Sequence, residues 1–168
     1  MVKKITIAID AMGGENAPEK TIEGVKLFLK NNQTHDDFTI NLFGDKKKIE
    51  EKLKKENIDR TNLKITHTDS VVADDETPLT AIKNSKNTSM WNCISSQVNG
   101  DSDISLSAGN TGVLLVVSRM ILKMMDDVSK PALAGLWPNN KNTNVVLDLG
   151  ANIESVSYTH LTLPTKDS

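Results

Sequence analysis

Short apolar runs, each followed by a polar loop and then by a helical pattern, limit the fold of this chain more than any other feature. The first run, Ile5–Ile9, is apolar and rich in β-branched residues, as expected of a strand buried in a parallel sheet. Further runs with strand character lie at 38–43, 63–67, 104–107 and 145–149. Strands that alternate with helices imply right-handed βαβ crossovers. The pattern therefore predicts an α/β protein with a Rossmann-like, three-layer α/β/α architecture around a mostly parallel sheet.

Composition and charge exclude several broad classes of protein. Hydrophobic residues make up 38% and charged residues 25% of the 168 residues, which argues against disorder and against a coiled coil. The formal net charge of −2 gives no basic excess for binding nucleic acid. The single cysteine, Cys93, lies in a helical pattern where a buried, unreactive thiol is expected, and a lone cysteine suits a reducing cytosol. No secretory signal is expected, because the chain starts without an apolar signal segment.

The stretch 111–125 is apolar nearly all round and has to be distinguished from a membrane span. A span needs about 20 apolar residues, and Arg119 and Lys123 interrupt this stretch. A buried core helix or a subunit-interface helix is therefore predicted.

Three polar loops that contain glycine follow predicted strands, at 10–16, 107–112 and 148–152. Ligands of open parallel sheets bind outside the carboxyl ends of the strands, so the three loops are expected to converge on one site. Glycine allows the backbone to approach an anion closely, and a helix N-terminus offers free N–H groups. This chemistry suits phosphate. Each loop taken alone is equally explained as a strand-to-helix turn with an Asn or Thr cap.

Nucleotide sites are poorly supported. The dinucleotide fingerprint needs spaced glycines and an acidic residue about 20 positions further on. Gly13 and Gly14 are adjacent, and Asp45 lies too far along the chain. No P-loop pattern occurs in the sequence.

The histidines and the lysine run 46–48 carry weaker signals. His35, His67 and His160 share no metal-ligand spacing, so no metal site is predicted. The lysine run is most simply a solvated helix start, and docking of an acidic partner is the alternative.

Several stretches occur together in one order and spacing. They are Ile7–Gly14, Asp74-Asp75, Pro78, Ala81, Ser89-Met90, Ser107–Gly112, Pro131–Leu133, Asp148 and Gly150–Asn152. In these stretches the chain resembles the bacterial phosphate acyltransferases of phospholipid synthesis, the PlsX family, over residues 3–154. It departs from the family pattern at Glu15, Lys83 and Val113, where the family usually carries Asp, Arg and Ala.

The resemblance implies transfer of a fatty acyl group from acyl carrier protein to inorganic phosphate, giving acyl phosphate. It also implies a cytoplasmic homodimer without a cofactor, with peripheral membrane contact in the longer family protein. Phosphate is itself an oxyanion nucleophile, so no Ser, Cys or His nucleophile is needed. The protein has to hold phosphate against the thioester carbonyl and stabilise the developing oxyanion.

Residue roles follow from the resemblance together with loop chemistry. The predicted catalytic residues are Asn110, Thr111, Asp10 and Asp148, with Asp10 and Asp148 orienting the loops or bonding a protonated phosphate oxygen. The predicted phosphate-binding residues are Gly13, Gly14, Ser107, Gly109, Gly112 and Asn152. Two alternatives stay open, namely a phosphotransacetylase-like enzyme that uses an acyl-coenzyme A and a non-catalytic anion-binding α/β module.

The last residues depart from the strand–helix pattern. We expect residues 1–154 to be the N-terminal part of the phosphate acyltransferase α/β domain. Residues 155–168 look like the translation of sequencing-adaptor DNA and are expected to lie outside the native fold. Family chains are considerably longer, so the α/β domain is expected to be truncated here, and this polypeptide alone is expected to be inactive.

Overall fold

The computed structural model describes residues 4–32, 37–73, 76–128, 131–140 and 142–147. These residues belong to two compact units, divided after Met125. The elements of the first unit are β1 (Ile5–Asp10), α1 (Glu19–Asn31), β2 (Phe38–Gly44), α2 (Lys46–Lys55), β3 (Leu63–His67), α3 (Pro78–Asn84), α4 (Ser89–Val98), β4 (Ile104–Ser107) and α5 (Thr111–Leu122). The second unit contains β5 (Ala134–Pro138) and β6 (Thr143–Leu147).

The first unit is built on a four-stranded sheet in the order β3-β2-β1-β4. Every pairing in this sheet is parallel, and Ile7 of β1 lies opposite Ile40 of β2 and Ile104 of β4. The first four predicted strands and their parallel arrangement are therefore confirmed. Because all four carboxyl ends meet at one edge, the loops that follow β1 and β4 are neighbours.

One face of the sheet packs against α1 and α2. Alternate residues of β2, Ile40 and Leu42 among them, point to this face, as the two-residue period of a strand requires. Helix α2 buries Ile49 and Leu53, which are one helical turn apart. The complete buried cluster on this face is Ala11, Ile22, Val25, Phe38, Ile40, Leu42, Ile49 and Leu53.

The opposite face of the sheet carries α4, with Ala8 and Phe43 packed against Cys93. Helix α5 packs onto α4, and α3 packs onto α5. The shared buried cluster is Val72, Ala81, Met90, Ile94, Val113 and Val117. Helices therefore cover both faces, and the predicted three-layer α/β/α architecture is confirmed.

Helix α5 buries only part of its apolar surface. Val113 and Val117 are fully buried, whereas Met120 and Leu122 are 40% and 42% exposed. Only one face of α5 is thus buried in the core, and the rest of its apolar surface stays partly exposed. Among the described residues, no helix combines the length and apolar character needed to cross a bilayer.

The second unit is an antiparallel hairpin. Strand β6 pairs with β5 so that Leu147 lies opposite Ala134. In the connecting turn, the Asn142 amide donates to Asn139 Oδ1 over 2.7 Å. The strand predicted at 145–149 is therefore present but begins at Thr143, and its antiparallel partner was not predicted. Asp148, Asn152 and the tail 155–168 lie outside the described residues, so the expectations for them stay predictions.

Candidate functional site

The carboxyl ends of β1 and β4 are joined by side-chain hydrogen bonds. Asp10 and Ser107 are register partners in the sheet. The Ser107 hydroxyl donates to Asp10 Oδ2 over 2.8 Å, and the Gly109 amide donates to Ser107 Oγ over 3.1 Å. Two of the three predicted loops therefore form one continuous structure, as the sequence predicted.

Asp10 holds this structure together from inside. Its side chain is only 2% exposed, and a buried carboxylate is tolerated only when hydrogen bonds replace its water. Oδ1 accepts from the Met12 amide over 3.2 Å, and Oδ2 accepts from Ser107. Of the two roles predicted for Asp10, this geometry favours orientation of the loops.

Glycine is required where the two loops meet. A Cβ on residue 13 would lie 2.6 Å from Asp10 Oδ2, 2.8 Å from Ser107 Oγ and 2.9 Å from the Gly109 amide nitrogen. Gly14 has a φ of +93°, and its Cβ would lie 2.7 Å from the Ala108 carbonyl oxygen. Both positions therefore exclude a side chain because of loop-to-loop packing, independently of any ligand.

A cleft of about 350 Å³ opens beside the joined loops. This volume is at the lower end of the range for small-molecule sites and holds a phosphate with room for a second group. The lining residues are Ile9, Asp10, Gly13, Gly14, Glu15, Lys20, Thr21, Leu106, Ser107 and Ala108. Lys20 is the cation of this lining, and it forms an exposed ion pair with Glu15 at 3.6 Å.

The start of α5 faces a different neighbour. Asn110 Oδ1 accepts from the Val113 amide over 3.1 Å, and Asn110 Nδ2 donates to the Glu76 carbonyl over 3.0 Å. A Cβ on Gly112 would lie 3.2 Å from Pro78 Cγ, so α5 packs closely on α3 here. Asn110 is thus a helix cap in this structure. Neither Asn110, Thr111 nor Gly112 lines the cleft between β1 and β4.

The beginning of α4 supports the loop after β4. A Cβ on Gly109 would lie 3.0 Å from Met90 Cε. Thr88 caps α4 by accepting from the Trp91 amide over 3.2 Å. The Ser89-Met90 stretch noted in the sequence therefore positions the 107–109 loop by packing.

Lys20 and Thr21 are the cleft residues that sequence reasoning missed. They belong to the first turn of α1, close after the Gly13-Gly14 turn. A cation in the first turn of the helix that follows a glycine-containing loop was the available signal, because helical side chains lean toward the helix N-terminus and so toward the loop.

Cys93 and His67 both contact other parts of the fold and lie outside the lining of the cleft. The predicted burial of Cys93 is confirmed. Burial, and to a smaller extent the charge of Asp10, raises the pKa of its thiol to about 12. His67 Nδ1 accepts from the Lys46 amide over 3.2 Å, and Nε2 lies 2.9 Å from Asp69 Oδ1. In the part of the chain that is described, no three His, Cys, Asp or Glu side chains are grouped to hold a metal ion.

Comparison with known proteins agrees with this geometry. The family model described as "Fatty acid synthesis protein" matches residues 5–162. The chain belongs to this family. A protein named "Phosphate acyltransferase" from Pelagibacter ubique is 49% identical over 154 residues, which cover 92% of this chain and 45% of that protein. Its namesake from Bradyrhizobium diazoefficiens is 38% identical, over 91% of this chain and 43% of that protein.

These family relatives are longer than this chain, which spans less than half of either one. A solved structure, the EutD phosphotransacetylase from Staphylococcus aureus, superimposes with a TM-score of 0.51 at 16% identity. The match covers 86% of this chain and 46% of that one. At this identity the similarity shows a shared α/β fold.

Proposed function

We propose that this chain forms the phosphate-binding part of an enzyme that transfers a fatty acyl group from acyl carrier protein to inorganic phosphate. The observation that carries the proposal is the cleft beside the hydrogen-bonded loops after β1 and β4. Membership of a family whose relatives are named phosphate acyltransferase supplies the reaction class. The product, acyl phosphate, feeds phospholipid synthesis.

The reaction needs positioning more than activation. A phosphate oxygen attacks the thioester carbonyl carbon, the C–O bond forms, and the C–S bond breaks with release of the carrier thiolate, which takes up a proton. Backbone groups at Gly13-Gly14 and Ser107-Ala108 hold phosphate in the cleft, and Lys20 offsets its negative charge. Gly109 supports this loop through its amide, which donates to Ser107 Oγ. Asp10 keeps the two loops in register by accepting a hydrogen bond from the Ser107 hydroxyl.

The remaining predicted site residues enter the proposal with less direct support. Thr111 and Gly112 stand at the start of α5, where free amide groups favour an anion. Asn110 sets that helix start by capping it. Asp148 and Asn152 stay in the proposal on the family resemblance alone. A homodimer, a cytoplasmic location and peripheral membrane contact of the longer protein also belong to the proposal, and they rest on the family resemblance.

The test is a comparison of two acyl donors. The longer protein that carries this sequence is incubated with acyl carrier protein thioester or coenzyme A thioester, with and without phosphate, and thioester loss is followed. We expect phosphate-dependent loss of the carrier thioester. A preference for coenzyme A would favour the phosphotransacetylase-like alternative, and phosphate binding without any turnover would favour the non-catalytic module.

A further inference from the structure

Three consecutive lysines form an exposed basic surface next to the candidate site. Lys46, Lys47 and Lys48, here called the lysine surface, make up the first turn of α2 and are all exposed. Helix α2 follows β2 directly, so the surface lies at the same sheet edge as the cleft. A Cβ on Gly44 would lie 2.5 Å from Met12 Cγ, which places the start of α2 against the loop that follows β1.

Among the described residues, the lysines of this surface form no ion pair, and neither do Lys54 and Lys55 at the other end of α2, whereas Lys52 has two carboxylate partners. Lys52 pairs with Glu23 at 3.1 Å and with Glu56 at 3.0 Å. Over the described ranges, no carboxylate forms an ion pair with any side chain of the lysine surface. The neighbouring Asp45 carboxylate instead accepts from the backbone amides of residues 47 and 48, at 2.9 and 3.3 Å.

Helix stability does not explain this placement. The N-terminus of a helix is its positive end, where cations are unfavourable and carboxylates are favourable. The first turn of α2 has no acidic residue, and three cations stand there instead. The Asp45 cap offsets part of that repulsion. Three unpaired charges at an unfavourable position point to a role outside the folded chain.

We infer that the lysine surface docks the acidic face of the carrier protein that delivers the acyl thioester to the cleft. This inference rests on the proposed function and names the surface that its protein partner contacts. Charge complementarity of this kind raises association rates and sets the orientation of the partner. Docked beside the Met12 loop, the carrier presents its thioester arm to phosphate held between β1 and β4.

A protein partner fits this surface better than an anionic membrane does. Membrane-binding clusters use about four to eight basic residues. The lysine surface has three, and the carboxylates of Asp45 and Asp69 border it at the same sheet edge. Three lysines bordered by two carboxylates form a small basic patch of defined shape, which is complementary to a small acidic patch on a protein partner.

The experiment compares two triple variants of the longer protein that carries this sequence. The test variant is K46Q/K47Q/K48Q. The matched control, K30Q/K54Q/K55Q, removes the same charge from exposed lysines in the last turns of α1 and α2. Association with acyl carrier protein thioester is measured by stopped flow between 50 and 300 mM NaCl, which spans Debye lengths from above to below about 10 Å.

At low salt, we expect the association rate constant of the test variant to be at least about tenfold below that of the parent. The difference should shrink as the salt concentration rises. The control should stay within about twofold of the parent. The melting temperature of the test variant should not fall, because the lost cations opposed the helix dipole. Equal losses in the two variants, no loss in either, or no binding by the parent would overturn the inference. The inference would also be overturned if the test variant bound the carrier protein like the parent and lost only binding to phosphatidylglycerol vesicles.

A small substrate separates this inference from the proposed function. With an uncharged pantetheine thioester and phosphate, the test variant should turn over at the parent rate, since no carrier protein has to dock. If the parent transfers no acyl group to phosphate from any donor, the proposed function is wrong, while the binding rates still decide whether the lysine surface meets the carrier. If the parent is active and the test variant is as fast with the carrier, the docking surface alone is wrong.

Discussion

Replacement of Gly13 by alanine tests whether the site depends on close contact between its two loops. The added methyl group would lie 2.6 Å from Asp10 Oδ2, 2.8 Å from Ser107 Oγ and 2.9 Å from the Gly109 nitrogen. None of these atoms is the free end of a flexible side chain, because Asp10 and Ser107 are hydrogen-bonded to each other and the third atom is backbone. The loops therefore have to move apart.

The magnitude follows from two contributions. Overpacking by one methyl group costs about 1–3 kcal/mol. Separation of Ser107 from the Asp10 carboxylate removes a hydrogen bond to a charged group, worth about 1.5–3 kcal/mol. Relaxation relieves part of both, so we expect a loss of about 3 kcal/mol in the free energy of unfolding. For a chain of 168 residues, this corresponds to a melting temperature lower by about 6–12 °C.

Gly24→Ala is the matched control for this variant. Gly24 lies in the middle of α1 with no atom within 4 Å of an added Cβ. Alanine there should raise stability by about 1 kcal/mol through helix propensity alone. Thermal melts and urea unfolding measure both variants, and phosphate KM reports the site. A Gly13→Ala protein that melts like the parent and keeps its phosphate KM would refute the close-contact reasoning.

Four further predictions concern single side chains. Asn110→Ala should cost about 1 kcal/mol in urea unfolding because the side chain caps α5. Thr111→Val removes a predicted catalytic hydroxyl at the start of α5, so it should lower kcat/KM for phosphate by roughly 10²-fold with little change in melting, and normal phosphate kinetics in this variant would remove this helix start from the site. Cys93 should resist alkylation by iodoacetamide at pH 8 until urea unfolds the chain, because burial raises its thiol pKa to about 12, and rapid labelling of folded protein would contradict this. Hydrogen bonds from two lysines lower the pKa of Glu56 from 4.5 to about 2, so its contribution to stability is complete above pH 4.5 and is lost as pH falls towards 2. Glu56→Gln should make the urea midpoint depend less on pH between pH 2 and 4.5. An unchanged pH dependence would show that the ion pairs of Glu56 with Lys26 and Lys52 are absent in solution.

Much of the fold could be predicted because its signals are local. Ile5–Ile9 is an unbroken apolar run, and the Gly13-Gly14 pair after it marks the loop. The hairpin was missed because β5 was not recognised as a strand, although its partner β6 begins only five residues after it ends. Trp137-Pro138 also reads poorly as a strand, since proline cannot donate to the sheet.

The site was harder to predict because one residue type serves two purposes. An asparagine before a helix either caps it or binds a ligand, and the sequence is the same in both cases. The contact that distinguishes these roles, from Asn110 to the Glu76 carbonyl, joins residues 34 positions apart. The location of Asp10 at the sheet edge could be predicted because it ends a strand, whereas its predicted role stays a prediction.

The bond between Asp10 and Ser107 also ties the site to the order in which the chain folds. Its two residues are 97 positions apart, and β1, β2 and β3 pair with one another without β4. A nascent chain can therefore assemble three of the four described parallel strands before the cleft exists, because the cleft forms only when β4 docks onto β1. Closure of so long a loop is slow, so phosphate affinity should appear late during refolding. Any ligand that binds the cleft then stabilises the docked position of β4, and this stabilisation increases with the ligand concentration relative to its Kd.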